Sequence, residues 1–375
     1  MKRAVVILPT YNERENIGLL IKALEQEFEA IPNYQMSILV VDDNSPDGTQ
    51  TVVRQMQQQY KNVYLLTGPK QGLGRAYLRG MDYAITKLKV GVMFEMDADF
   101  QHNPKQVSQF LTKLDEGYDI VVGARYIQGG SVPKNWGIHR KIFSRMGNLL
   151  VRASLMRFGQ HEWTNGFRAI RSQAYAQVRA KLLAYTGYTF QVAFLHQAFL
   201  LGKKIGEIPN KFDERRWGRS KIGAEYVKNL LIYLGKQTLI NPPQFLKFLV
   251  VGGIGFIVQF VTFRIFRGWD WRPSVATTVS AEIAIGSNFL WNNLWTFADQ
   301  KISAVKQILI KFPQFNFTSL GSLVIQVIIS EIGTRSFGIR HLALGINTDD
   351  VYLMIGILVG LTWNYTMYKL VIWKK

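Results

Sequence analysis

The sequence of 375 residues contains no cysteine, which excludes disulfide bonds and thiolate chemistry. It also shows no secretion signal at its start, because the apolar segment within MKRAVVILPTYNE is too short and fits a first buried strand better. Long apolar runs are missing up to about residue 240, where charged, polar and apolar residues are interspersed. We therefore expect the N-terminal part to fold as a soluble domain in the cytosol.

Acidic residues are scarce in the second part of this domain. Residues 1–133 carry 14 Lys and Arg against 15 Asp and Glu, whereas residues 134–221 carry 17 against 4. A neutral segment followed by a strongly basic one indicates a polyanionic partner for the basic segment. Nucleic acid and an anionic membrane surface are the candidates, and the apolar sequence that follows favours the membrane. No nucleic-acid partner is expected.

Short apolar, β-branched runs alternate with helical patterns in the first third of the chain. This alternation is typical of an α/β domain with a mainly parallel sheet. In such a sheet ligands bind beyond the carboxyl ends of the strands, so polar motifs that follow strands converge on one crevice. The predicted strands are 4–8, 37–41, 63–67, 90–96 and 120–123.

The basic segment contains an amphipathic pattern. Residues 138–158 place arginines and lysines among apolar residues at helical spacing, which suits a helix lying on a membrane, although an ordinary surface helix fits the pattern equally well. A second apolar-rich segment lies within 226–244 and predicts an interface helix or linker. These segments divide the chain into an N-terminal domain over 1–225, the linker and a membrane domain over 245–375.

Four apolar stretches in the last part of the chain approach the ~20 residues that cross a bilayer. An even number of spans returns the C-terminus to the side of the catalytic domain. The lysine-bearing loop 299–313 then also faces the cytosol, in line with a mild positive-inside bias. The predicted spans are 245–266, 273–297, 314–334 and 350–372.

Two carboxylates, Asp97 and Asp99, follow the predicted strand 90–96. Spaced at i and i+2 in a loop, both can reach a hard divalent ion, which bridges diphosphate oxygens and neutralises the leaving group. Gln101 is placed to supply a third oxygen ligand. The tripeptide alone is common, so its position after a buried strand is what favours a metal site.

Two neighbouring strand ends carry a second polar set, PTYNE at 9–13 and VDDNS at 41–45. Together they offer an aromatic ring, a turn and carboxylates, which suit stacking on a nucleobase and acceptance from its N–H groups. Asp and Asn after strands are usually turn formers, so each piece is weak in isolation.

Six ordered motifs give a more specific indication: PTYNE, VVDDNSPDGT, KQGLGRAY, MDADFQHNP, VGARY and TNGFRA. Over about residues 4–225 they resemble glycosyltransferase family 2, and within it the dolichyl- and polyprenyl-phosphate mannose synthases. The segment SNFLWNNLWTF at 287–297 is similar to the four-span GtrA-like domain fused to some prokaryotic members. The resemblance implies a Rossmann-like GT-A nucleotide-sugar domain with amphipathic interface helices, followed by an all-α transmembrane domain.

The resemblance also implies roles for residues at the first two strand ends. Pro9, Tyr11 and Glu13 match the segment that holds the nucleoside. Val41 and Asp43 match the base-recognition pair, with Asp43 accepting from the ring N–H.

Other matches concern the donor sugar and the metal. Asp97, Ala98 and Asp99 match the nucleotide-sugar and metal motif, and Gln101 matches a metal ligand. The expected ion is Mg²⁺ or Mn²⁺. Arg125 matches a residue of the donor site.

Cationic residues are expected around the phosphates. Arg215 and Lys221 match a basic loop that covers the diphosphate. A lipid phosphate and a nucleotide diphosphate bring three phosphoryl groups together, which is more charge than one divalent ion neutralises. Arg140 and Arg168 are therefore candidates for the acceptor phosphate. The predicted catalytic residues are Asp99, Arg215 and Lys221.

The implied activity is transfer of mannose from GDP-mannose to dolichyl or polyprenyl phosphate, with a divalent metal and inversion at the anomeric carbon. One alternative keeps the chemistry and uses a UDP-sugar to transfer glucose or a glucosamine derivative. A second alternative, from a different class, is a flippase or scaffold for lipid-linked sugar with a binding-only soluble domain. In each case we expect a multi-pass membrane protein whose soluble domain lies on the cytoplasmic side.

Overall fold

The computed structural model of the protein describes residues 2–185, 187–214, 224–240, 242–338, 340 and 348–374. The chain divides into two compact units, residues 1–240 and residues 241–375. The first is an α/β unit, and the second consists of helices.

Among the described residues, seven strands form one sheet at the centre of the first unit. They are β1 (Lys2–Thr10), β2 (Tyr34–Asp42), β3 (Val63–Thr67), β4 (Val92–Glu95), β5 (Ile120–Ala124), β6 (Arg168–Arg171) and β7 (Ile205–Pro209). Their order across the sheet is β3-β2-β1-β4-β6-β5-β7. Only β6 is antiparallel to its neighbours in this sheet, and the predicted mainly parallel α/β class is confirmed.

Helices cover both faces of this sheet. They are α1 (Arg14–Phe28), α2 (Thr49–Gln59), α3 (Leu73–Tyr83), α4 (Val107–Asp115), α5 (Ile138–Ser154), α6 (Ser172–Leu182), α7 (Thr189–Leu200) and α8 (Ala224–Ile240). The sequence prediction contains the first five strands and lacks β6 and β7.

Burial on both faces explains why the inner strands are continuous apolar runs. In β1, Val5 and Ile7 face the side covered by α3 and α7, while Ala4, Val6 and Leu8 face the side covered by α1 and α2. All five side chains are fully buried. Burying a valine, leucine or isoleucine contributes roughly 1.5–3 kcal/mol, so the register of β1 and the position of the residues that follow it are firmly set.

α5 has a different surface from the other helices of the first unit. It buries Asn148 and Val151 but leaves Ile138, Phe143 and Met146 77%, 56% and 62% exposed. The amphipathic helix predicted over 138–158 therefore exists, and its apolar side chains face away from the core of this unit.

The second unit contains α9 (Gln244–Gly268), α10 (Pro273–Trp291), α11 (Val305–Phe337) and α12 (Thr348–Met367). Within its described residues, three helical segments are long and apolar enough to cross a membrane. They are Gln244–Gly268, Val305–Phe337 and Met354–Ile372, which overlap the predicted spans 245–266, 314–334 and 350–372.

The predicted span 273–297 is not one of these three segments. Its α-helix, α10, ends at Trp291, and residues 292–296 continue as a wider π-helical turn. This turn packs near the end of the chain, where Trp373 stacks on Phe297 at 4.6 Å and donates to Asn293 Oδ1 at 2.9 Å. The count of four spans stays a prediction.

Candidate functional site

Two adjacent carboxylates at the end of β2 have different surroundings. Asp42 is fully buried and accepts hydrogen bonds from the Thr10 hydroxyl at 2.9 Å, the Ser45 hydroxyl at 2.6 Å and the Gln50 amide at 2.7 Å. The Ser45 main-chain N–H donates to it as well, at 2.9 Å. A carboxylate engaged in this way joins the turns that follow β1 and β2, and its role is structural.

Asp43, which was predicted to bind the base, accepts a hydrogen bond from Arg79 Nη2 at 2.6 Å. Burial raises the pKa of the Asp43 carboxyl above its ordinary value, and Arg79 only partly offsets this effect. Arg79 lies on α3, 36 residues from Asp43, and no motif in the sequence connects the two residues.

The residues predicted to hold the nucleoside lie next to Asp43. Pro9 and Val41 are partners in the register of β1 and β2, and Glu13 immediately precedes α1. The ammonium of Lys70 lies 3.5 Å from the centroid of the Tyr11 ring, a cation–π contact. The structure thus brings these side chains to one pair of strand ends.

The loop after β4 holds Asp97, Ala98, Asp99 and Gln101 in a tight turn. Phe100 has φ = 67°, a left-handed conformation that costs a residue with a side chain about 1–2 kcal/mol. The turn lets the Gln101 main-chain N–H donate to Asp99 Oδ1 at 3.0 Å. Asp99 and Gln101 are 4% and 6% exposed, whereas the side chain of Asp97 is 32% exposed. The two carboxylates and the amide therefore come from one locally ordered loop.

A further contact links this loop to the segment that precedes the predicted basic loop. The Asp213 main-chain N–H donates to the Gln101 carbonyl at 3.0 Å, and Gln101 Nε2 donates to the Asp213 carbonyl at 3.4 Å. Arg215 and Lys221 themselves lie outside the described residues.

His102 holds the Asp97–Asp99 loop in place through hydrogen bonds. Its Nδ1 accepts a hydrogen bond from the Asp97 main-chain N–H at 3.0 Å, so the proton lies on Nε2, which donates to Asn165 Oδ1 at 3.0 Å. Burial lowers the pKa of His102 to about 4, and the ring is neutral at neutral pH. It also stacks on Phe167 with the ring centroids 4.9 Å apart. Both ring nitrogens are engaged, so His102 positions the loop and is not a metal ligand.

Arg125, predicted for the donor site, forms a buried two-point ion pair with Glu162. Its Nε donates to Oε2 at 2.8 Å and its Nη2 to Oε1 at 2.9 Å. Burial would raise the pKa of Glu162, but Arg125 and the Thr164 amide outweigh this effect and hold that pKa below its ordinary value. Because Glu162 neutralises the guanidinium, the main role of Arg125 is to stabilise the structure of the site.

Arg140, one candidate for the acceptor phosphate, is exposed near the start of α5. Its guanidinium lies 4.0 Å from the centroid of the Trp136 ring. The position is compatible with an anionic ligand at the surface.

Arg168, the other candidate for this role, lies on β6 and is fully buried. Its guanidinium donates to three main-chain carbonyls at 2.8–2.9 Å. These belong to Trp163, Asn165 and Gln191. A buried guanidinium with these bonds stabilises the fold around β6, and we leave Arg168 out of the proposed acceptor site.

Both units of the chain match known protein families. Residues 5–183 match the family model for glycosyl transferase family 2, and residues 247–373 match that for the GtrA/DPMS transmembrane domain. The polyprenol monophosphomannose synthase of Mycolicibacterium smegmatis is 36% identical over 61% of this chain and 84% of its own length. The chain belongs to glycosyltransferase family 2. The glycosyltransferase is also 28% identical to a dolichol-phosphate mannosyltransferase of Pyrococcus furiosus, over 98% of both chains.

Among solved structures, one of glucosyl-3-phosphoglycerate synthase from Mycobacterium tuberculosis, in complex with Mn²⁺, uridine-diphosphate and phosphoglyceric acid, is similar in part. It is 17% identical and covers 64% of the glycosyltransferase and 78% of its own chain, with a TM-score of 0.46. The match to the GtrA/DPMS domain and the apolar helices make the glycosyltransferase a membrane protein.

Glu95, the last residue of β4, is a buried carboxyl group that the sequence prediction lacks. It is fully buried and lies opposite Arg168 in the antiparallel register of β4 and β6. Burial raises the pKa of Glu95 to about 7, although Arg168 opposes this effect. The otherwise apolar strand β4 of the glycosyltransferase therefore ends in a buried carboxyl group, two residues before Asp97.

This pKa makes the stability of the glycosyltransferase depend on pH. Between the ordinary value of 4.5 and about 7, folded Glu95 keeps a proton that the unfolded chain has lost. Stability should therefore fall as pH rises through this window, by up to about 1.4 kcal/mol per pH unit from this group. Chemical unfolding in a chelator, measured across the window, should show a flatter profile for Glu95→Gln. Parallel profiles for the two proteins would contradict the prediction.

Sequence reasoning missed Glu162 and Asn165, which support Arg125 and His102. Both lie in the segment before β6, more than 35 residues from their partners, and only the topology of the sheet brings them close. Asn165 belongs to the motif TNGFRA, which signalled the family without indicating this contact.

Proposed function

We propose that the protein transfers mannose from GDP-mannose to dolichyl or polyprenyl phosphate, with inversion at the anomeric carbon and with Mg²⁺ or Mn²⁺. The observation that carries the proposal is that Asp43 follows β2 and the Asp97–Asp99 loop follows β4, the two parallel neighbours of β1, so both lie at the same carboxyl edge of one sheet. The names of the two relatives support a mannosyl donor and a lipid phosphate acceptor.

The residues of the loop fit a hard divalent ion by their chemistry. Asp97 and Asp99 offer carboxylate oxygens and Gln101 an amide oxygen, the ligand types that Mg²⁺ and Mn²⁺ prefer. Within the described ranges, no three Asp, Glu, His or Cys side chains converge on one point. Substrate oxygens would therefore complete the coordination, as is usual for Mg²⁺ on a diphosphate. The bound ion would neutralise charge on the departing diphosphate.

The chain itself needs to supply little proton transfer for this reaction. A phosphate oxygen of the acceptor is already anionic at neutral pH, so it can attack the anomeric carbon without a strong general base. What remains is alignment of the two substrates and stabilisation of the leaving group. We assign alignment of the donor to Asp43, Asp97 and Asp99, and charge stabilisation to Arg215 and Lys221.

The acceptor is proposed to approach along α5. Arg140 lies on this helix with exposed Phe143 and Met146, so one surface offers a cation for a phosphate and apolar side chains for a lipid. We place the catalytic unit on the cytoplasmic side and retain four spans in the second unit. The length of α10, 19 residues, supports a fourth span that includes the π-helical turn.

A panel of labelled nucleotide-sugars tests the proposal. Purified full-length protein and a polyprenyl phosphate should give a labelled lipid with GDP-mannose and Mg²⁺ or Mn²⁺, and the one-bond C1–H1 coupling constant of the product should show the β-linkage. A product from a UDP-sugar alone would favour the first alternative. Binding without any transfer would favour the flippase or scaffold, and either result would overturn the proposed function.

The exposed apolar side chains of α5 carry a separate prediction. Replacing Phe143 and Met146 by aspartate in the full-length protein should raise KM for a long-chain acceptor in vesicles by about tenfold, because roughly 1.5 kcal/mol of apolar contact is lost. Turnover of a short, water-soluble acceptor should be unchanged.

Leu19, which is 45% exposed on α1, offers a matched control for these substitutions. Leu19→Asp adds one aspartate at an exposed apolar position elsewhere and should leave both KM values unchanged. Equal KM values for the α5 variant and the wild type in vesicles would remove α5 from the proposed path of the acceptor.

A further inference from the structure

Three buried polar side chains lie on the α3 and α7 side of β4, close in sequence or space to the Asp97–Asp99 loop that follows this strand. Glu95, Gln191 and Tyr77 are 0%, 1% and 0% exposed. Within the part of the chain that the structure describes, no hydrogen-bond partner meets either Glu95 oxygen, either polar atom of the Gln191 amide or the Tyr77 hydroxyl. Each such group costs about 1–3 kcal/mol unless a ligand or water satisfies it.

The three side chains come from β4, α7 and α3 and are close to one another. Arg168, opposite Glu95 in the sheet, donates to the Gln191 carbonyl at 2.8 Å. The Gln191 amide is near enough to the Glu95 carboxyl to oppose the effect of burial on its pKa, yet the two groups are not at hydrogen-bond geometry. The Tyr77 ring stacks on Phe190, the residue before Gln191 on α7, with the ring centroids 6.2 Å apart.

The same cluster borders Asp97. Asp97 follows Glu95 by two residues, just beyond the end of β4. Gly166 lies next to both Asp97 and Gln191 of α7. A Cβ at Gly166 would lie 3.3 Å from Gln191 Nε2 and 3.7 Å from Asp97 Oδ1. The Gln191 amide and the Asp97 carboxylate therefore line one small space.

We infer that Glu95, Gln191 and Tyr77 bind internal water, and that this hydrated cluster holds the Asp97 carboxylate in the orientation needed for the metal. A buried water requires two to four polar partners, and the cluster offers donors on Gln191 and Tyr77 and acceptors on Glu95. Loss of a group that orients a metal ligand without contacting the metal usually changes the metal affinity. The second half of the inference rests on the proposed metal role of Asp97.

Two uncharged substitutions in the full-length protein provide the test. Tyr77→Phe removes only the hydroxyl, and Gln191→Met removes the amide while the main-chain carbonyl that Arg168 contacts remains. Each should weaken Mn²⁺ binding, measured from the free-ion EPR signal with GDP present, by about tenfold. Glu95→Gln keeps an acceptor for water and should stay within about twofold of the wild type.

Asn210 offers a matched control, because it directly follows β7 at the edge of the sheet, is fully buried, and its side-chain amide likewise has no partner among the described residues. Asn210→Leu should leave Mn²⁺ affinity unchanged. A high-resolution structure of the wild type should show water density bonded to Glu95, Gln191 or Tyr77.

The outcomes separate this inference from the proposed function. Absence of Mn²⁺ binding by the wild type would overturn the metal role of Asp97 and this inference together. Normal binding by the wild type and by both Tyr77→Phe and Gln191→Met would overturn the inference alone. A lower melting temperature with unchanged Mn²⁺ affinity would show that the cluster is purely structural and would overturn the inference. Absence of water density at the cluster in the high-resolution structure would also overturn the inference.

Discussion

Replacing Asp99 by asparagine should lower the rate of mannosyl transfer by about three orders of magnitude and leave the fold intact. Asparagine keeps the Oδ1 acceptor for the Gln101 N–H, which lies at 3.0 Å, so the turn of the loop is preserved. It loses the negative charge that a divalent ion requires. A loss of about 4 kcal/mol of transition-state stabilisation, within the range for metal-ion catalysis, corresponds to this factor in rate.

Transfer of labelled sugar at saturating Mg²⁺ or Mn²⁺ measures the effect, and excess chelator should abolish transfer by the wild type. Asp115→Asn is the matched control, since Asp115 is a partly exposed carboxylate bonded to Lys2 and Tyr34 on another part of the unit. That variant should keep wild-type activity. Full activity of Asp99→Asn, or of the wild type in chelator, would remove the metal from the proposed reaction.

The second large effect is expected on stability. Arg125→Met should lower the free energy of unfolding by about 3–5 kcal/mol, because the fully buried Glu162 carboxylate then keeps its charge without a cationic partner. Glu162→Gln in the same chain removes that charge and still offers an oxygen to the Thr164 and Asn165 main-chain N–H groups, which now donate to Oε1. The double variant should therefore be more stable than Arg125→Met alone.

Unfolding of the full-length protein in detergent, followed by tryptophan fluorescence, measures this order, since Trp163 is fully buried beside Glu162. Arg179→Met provides the control. Arg179 pairs with Asp82 at 2.6 Å, but its side chain is 45% exposed, so the loss should be below about 1 kcal/mol. If the double variant is no more stable than Arg125→Met, an unpaired charge is not the cause of the loss.

The strand ends could be predicted from the sequence because each depends only on residues that are close together in the chain. A buried apolar run followed within three residues by Asp97 or Asp43 needs no distant information, and the structure places both after strands. Periodicity likewise located α5, whose exposed face follows from helical spacing alone.

Long-range pairings could not be predicted in the same way. β6 is four residues long, carries arginine at both ends and is antiparallel to strands distant in sequence. The composition of the basic segment suggests that Arg168 binds a phosphate. Arg168 is buried, however, because β6 lies between β4 and β5, and the composition does not reveal this position. The environment of Glu95 is set by the same pairing, and no local pattern reveals it.

The apolar face of α5 has a kinetic consequence for an enzyme whose acceptor is a lipid. If Phe143 and Met146 hold the catalytic unit at a bilayer as proposed, the enzyme meets its acceptor by lateral diffusion in two dimensions. Its velocity then depends on the mole fraction of acceptor in the membrane and not on the acceptor concentration in the whole sample. Adding inert phospholipid at a fixed total amount of acceptor should therefore slow transfer by surface dilution, although no component of the reaction has been removed.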